Sequence, residues 1–138
     1  MRAVVDTNVI LSAVLGGALS PLLDHWRAGH FTLVVTTEIA HEYLTVLRRP
    51  KFSLSAEVVE AIGAYMFRKA EFVTPTERLL VIKVDPKDDM FLDAAVAGEV
   101  DLIVSGDRHL LELGHYRHYP IITAREFLNQ LEAMPGEA

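Results

Sequence analysis

A chain of 138 residues, 51% hydrophobic and 23% charged, carries enough apolar material for one well-formed core, which excludes a disordered chain and argues against two domains. It has no cysteine, which removes disulfides, thiolate nucleophiles and cysteine-held zinc or iron–sulfur centres. The net charge of −6 argues against a protein that coats nucleic acid by counterion release, but not against an enzyme that meets nucleic acid through bound cations.

In chain order, Arg2–Val5 is a β-branched run closed by Asp6 and is predicted as a buried strand. Asn8–Leu15 predicts a helix stopped by Gly16 and Gly17, and Ser20-Pro21 starts another that ends at Gly29. Phe31–Val35 is the second strand. A helix capped by Thr36 or Thr37 follows, with Ile39, Tyr43, Val46 and Leu47 on its apolar face, and breaks at Pro50. Ser55–Ala70 predicts a helix with Val58, Val59, Ile62 and Met66 inward. Residues 72–84 hold a turn at Thr-Pro-Thr and a possible strand over Leu79–Val84, and Asp85-Pro86 is a turn signal. Asp88–Gly98 is a helix rich in alanine, Leu102–Val104 a strand, Arg108–Leu113 a helical turn, Ile121–Ile122 a short strand and Ala124–Leu131 the closing helix.

Short unbroken apolar strands alternating with helices predict parallel pairing, hence a three-layer α/β/α sandwich around a mainly parallel sheet. Residues 1–132 form one domain in this reading, with 133–138 a frayed tail. The opening apolar run is too short for a signal-peptide core, and no run of about 18 apolar residues could span a bilayer. A soluble, cytoplasmic protein without a membrane partner is the expectation.

Ligands of such sheets sit beyond the carboxyl ends of the strands. Asp6 directly follows the first strand and Asp107 comes three residues after Val104. Asp88 and Asp89 open a helix that must start near the same edge, and Glu42 lies one to two turns into the helix leaving the second strand. Each acid alone is equally well a helix cap or a solvated side chain. Together they would repel one another and raise their own pKa values unless a cation is shared. The oxygen-only set predicts a Mg²⁺ or Mn²⁺ pocket, with water attacking a phosphodiester. Asp101 stands at the amino end of its strand, the wrong edge, and is assigned no chemistry.

Four segments carry a family resemblance: Val4-Val-Asp-Thr-Asn-Val-Ile, Glu42-Tyr-Leu-Thr-Val-Leu-Arg-Arg-Pro-Lys-Phe, Asp85-Pro-Lys-Asp-Asp-Met-Phe-Leu and Val104-Ser-Gly-Asp-Arg-His-Leu-Leu. In this order and spacing the chain resembles the PIN-domain family, and Ile121-Ile-Thr-Ala-Arg-Glu-Phe-Leu resembles the end of its toxin-like branch. The resemblance implies a metal-dependent ribonuclease with Asp6, Glu42, Asp89 and Asp107 as catalytic, metal-holding acids. Asp88 is the alternative for the third acid, and Asp93, one turn further on the same face, is a possible additional ligand. Asn8 and Ser105 would orient the carboxylates; Ser105 stands where many members carry threonine. Products with 5′-phosphate and 3′-hydroxyl ends, an RNA substrate and an antitoxin laid over the cleft are further implications.

Arg48, Arg49 and Lys51, about 10 Å beyond Glu42 along its helix, and Arg108 beside Asp107 are candidate substrate contacts. A homodimer through the helices of Ala18–Gly29 and Ser55–Ala70 is expected. Rival readings are a PIN scaffold that binds protein or RNA without cutting, and a small phosphatase with an aspartyl nucleophile, which Asn8 in place of a second acid disfavours. His41-Glu42 begins like a zinc-protease helix, but Thr45 replaces the second histidine. His115 and His118 are read as surface residues of a loop.

Overall fold

The computed structural model describes residues 1–75 and 89–134. Its elements are β1 (Arg2–Val5), α1 (Thr7–Val14), α2 (Pro21–Arg27), β2 (Thr32–Val35), α3 (Thr37–Leu47), a 3₁₀ turn (Pro50–Phe52), α4 (Ala56–Lys69), β3 (Glu71–Phe72), α5 (Asp89–Gly98), β4 (Leu102–Val104), α6 (Arg108–Leu113), β5 (His115–Tyr116), β6 (Tyr119–Ile122) and α7 (Ala124–Ala133). The expected strand over Leu79–Val84, the Asp85-Pro86 turn and Asp88 lie outside the described residues.

The sheet runs β3-β2-β1-β4-β6-β5. Among the described residues every pairing is parallel except β5 with β6. This is the α/β architecture expected, a mostly parallel sheet flanked by helices. Val4, Val34 and Ile103, from β1, β2 and β4, are fully buried, as strands covered on both faces require. Helix starts are set by side-chain caps: Asp6, Thr36, Ser55, Asp107 and Thr123 each accept from a backbone N–H of the following first turn, a contribution of about 1 kcal/mol apiece. Pro21 starts α2 instead, and Ser20 makes no side-chain cap.

The amino edge is closed by Arg2. Its backbone N–H donates to Asp101 Oδ2 at 2.7 Å, and its guanidinium donates to the Gly98 carbonyl at 2.6 Å and pairs with Glu71. Asp101 is therefore a structural acceptor at the edge away from the candidate site. Gly98 lets α5 end against the sheet, since a Cβ there would lie 2.8 Å from Val34 Cγ1.

Three expectations need correction. Val58 is 45% exposed and Val59 is the buried member of that pair, because α4 turns only a narrow face inward. His115 lies in β5 and His118 in the turn of a tight hairpin, β5 pairing antiparallel to β6, and both are exposed as expected. β3, two residues long, had no pattern of its own; it exists because Glu71 and Phe72 pair with Val34 and Val35.

Candidate active site

Asp6 leaves the carboxyl end of β1, where its N–H still reaches the Val104 carbonyl of β4 at 2.9 Å. The side chain is 5% exposed. Oδ1 accepts from the Val9 N–H at 3.0 Å, capping α1; Oδ2 accepts from the Gly106 N–H at 3.0 Å and from the Ser105 hydroxyl. That hydroxyl also accepts from the Asp107 N–H at 2.9 Å. Ser105, itself fully buried, thus ties the acids of two adjacent strand ends into one unit. Asp107 Oδ1 takes the N–H groups of His109 and Leu110, at 2.7 and 3.2 Å.

Glu42 is fastened from the other side, by a hydrogen bond from the Thr7 hydroxyl to its Oε2. One residue on, the Tyr43 hydroxyl donates to the Val5 carbonyl, locking α3 to the end of β1. The Tyr43 phenol is held well above its ordinary pKa of 10.0, first by burial and then by the negative charges of Asp6 and Glu42. Both carboxylates therefore act on the same buried hydroxyl. Asp89 and Asp93 sit one turn apart on α5, 5% and 6% exposed, on a helix packed against β1, β2, β4 and α3.

Among the described residues Asn8 makes no hydrogen bond to a carboxylate; it is exposed and lines a cleft with Ser105 and Gly106. Thr7 and the Gly106 N–H do the orienting that was expected of Asn8, and the sequence carried no local signal for either. Arg48 and Arg49 are exposed past the end of α3. Lys51 lies 5.2 Å from the centre of the Phe52 ring, and Arg108 faces Glu112 at 3.6 Å in an exposed pair; pairs of that kind contribute little to stability.

The PIN domain family model matches residues 2–109. The chain belongs to the PIN-domain family. The crystal structure of PAE2754 from Pyrobaculum aerophilum is similar over 97% of this chain and 91% of that one, with a TM-score of 0.62 and 14% identity, a likeness of fold. No curated protein matches the chain. PIN domains are generally nucleases that use divalent metals, and Asp6, Glu42, Asp89 and Asp107 all fall within the matched residues.

The chemistry of the donor set, carboxylate oxygen throughout, suits a hard cation. Among the described residues, however, no three His, Asp or Glu side chains are grouped so as to hold one ion. The acids of this PIN domain are joined pairwise, Asp6 to Asp107 through Ser105, and Glu42 to the residue after Asp6. Two carboxylates are a common protein share for Mg²⁺, whose remaining positions go to water and substrate phosphate.

Proposed function

We propose that the protein is a Mg²⁺- or Mn²⁺-dependent endoribonuclease, the toxin of a toxin–antitoxin pair. The observation that supports this best is the Asp6–Ser105–Asp107 unit at the carboxyl edge of a parallel sheet in a PIN fold. Asp6 and Asp107 would hold the cation in this reading, with Glu42 and Asp89 as the further carboxylates of the acidic set. The ion supplies Lewis-acid polarisation of the phosphodiester and a water acidified for attack. Ser105 aims the Asp6 carboxylate and holds the Asp107 backbone beside it, the His109 and Leu110 N–H groups aim the Asp107 carboxylate, and Thr7 does the same for Glu42. Among the described residues no N–H or O–H occupies Asp107 Oδ2 or Glu42 Oε1, so either oxygen would take the proton of an attacking water. Tyr43, with its raised pKa, stays protonated and takes no part as a nucleophile.

The partner in this reading is an antitoxin whose basic side chain neutralises the acidic rim. A homodimer forms through α2 and α4. Leu23 and Trp26 of α2, with Val58, Ile62 and Tyr65 of α4, line an apolar groove of about 450 Å³, which supports that pairing. Sedimentation as a monomer at high concentration removes the dimer. No helix among the described residues is long and apolar enough to cross a membrane. The reaction is tested by incubating single-stranded RNA with the protein and Mn²⁺, with and without chelator.

A further inference from the structure

A second cavity opens beside the Ser105–Gly106 turn. It has a volume of about 330 Å³ and is lined by Asn8, Val9, Ser12, Leu19, Ser105, Gly106, Thr123, Ala124 and Arg125. Its wall is shared with the acids, since Ser105 and Gly106 donate to Asp6 from the same turn. Thr123 follows the end of β6, which pairs parallel with β4, so the cleft lies on the same carboxyl edge. Arg125 lies beyond the residues that the PIN model matches.

Arg125 has no evident structural reason to be there. It occupies the first turn of α7, where the helix dipole disfavours a cation. Among the described residues no carboxylate pairs with it. Its neighbour Glu126 is already committed to the capping box with Thr123. What remains is an exposed guanidinium over a cleft with an apolar floor (Val9, Leu19, Ala124) and hydroxyl and amide groups at its rim. A volume near the lower end of small-molecule sites, about 300–1,000 Å³, suits one nucleoside.

We propose that this cleft seats the nucleotide flanking the scissile phosphodiester, its base against Val9, Leu19 and Ala124 and its phosphate on Arg125. The inference rests on the RNA-cleaving reading above. Guanidinium suits phosphate through its paired N–H groups. An apolar floor with a few polar groups at its rim is the usual lining of a site for a small flat ligand, and a base would lie on it with its edges hydrogen-bonded.

The test is fluorescence anisotropy with a labelled single-stranded RNA dodecamer in Ca²⁺, repeated across salt concentrations. Arg125→Ala is expected to weaken binding about tenfold and to lower the slope of log K against log salt by about 0.7, the share of one phosphate contact on a single strand. Ser12→Trp, which fills the cleft, should weaken binding with the slope unchanged. Arg68→Ala, on α4, serves as the distant cation. Binding equal to wild type in Arg125→Ala, a loss no larger than that of Arg68→Ala, or no RNA binding by the wild-type protein overturns the proposal. Binding that depends on Arg125 in a protein that never cuts RNA sinks the nuclease reading and keeps the cleft. Cleavage that is indifferent to Arg125 does the reverse.

Discussion

The hydroxyl of Ser105 donates to Asp6 Oδ2, across 99 residues of sequence, while accepting from the backbone of Asp107. One buried side chain therefore fixes the carboxylate at the end of β1 relative to the turn that carries the carboxylate after β4.

Replacing it tests that coupling. Ser105→Ala leaves a buried carboxylate oxygen and the Asp107 N–H each short of a partner, costing about 1–3 kcal/mol in stability. Urea denaturation measures the loss. RNA cleavage should fall further than stability explains, since the variant remains folded while its aspartates lose their alignment. Cleavage at the wild-type rate in a folded variant would show that the serine is packing alone.

Tyr43 gives the protein an alkaline limit. Its folded pKa lies well above the value of 10.0 it has when free, so between those two values the unfolded chain has released a proton that the folded one retains. The stabilisation is complete below about pH 10 and declines as pH rises above it. Tyr43→Phe should flatten that decline in denaturation curves taken from neutral to strongly alkaline pH. At neutral pH it should cost about 0.5–1.5 kcal/mol for the lost bond to the Val5 carbonyl. An unchanged alkaline slope in the variant would assign the pH dependence elsewhere.

Asp101 marks the opposite edge. Asp101→Asn keeps an oxygen to accept from Arg2 and lies away from the candidate site, so stability should shift by less than about 1 kcal/mol. The cleavage rate should match wild type. A large loss of activity would mean that the edges have been assigned the wrong way round.

Much of this was legible in the chain itself. Asp6 and Asp107 each follow a short β-branched run, and because the strands are parallel their carboxyl ends fall on one edge; local pattern and one topological rule suffice for both. Glu42 is placed by the same logic through the length of α3. Thr7, Gly106 and the Tyr43 hydroxyl were not legible, because their partners lie in other segments and nothing nearby in sequence signals them. Tyr43 looks purely apolar in a helical stripe, yet its hydroxyl ties α3 to β1. Asn8 was expected in the orienting role from the family resemblance, but the first turn of α1 points Thr7 at Glu42. Arg125 resembles any surface arginine until the cleft beside Ser105 is seen. β3 escaped notice because a two-residue strand is defined by what it pairs with.

The central claim is that a divalent cation held by Asp6 and Asp107 cuts RNA. It is tested most directly by following single-stranded RNA cleavage against Mn²⁺ concentration in wild type and in Asp6→Asn, whose remaining oxygen can still cap α1. Cleavage should rise with Mn²⁺ in wild type, vanish with chelator, and fall by at least about a hundredfold in Asp6→Asn with the circular dichroism spectrum unchanged. Cleavage that survives the chelator, or proceeds equally well in the folded variant, would contradict the account.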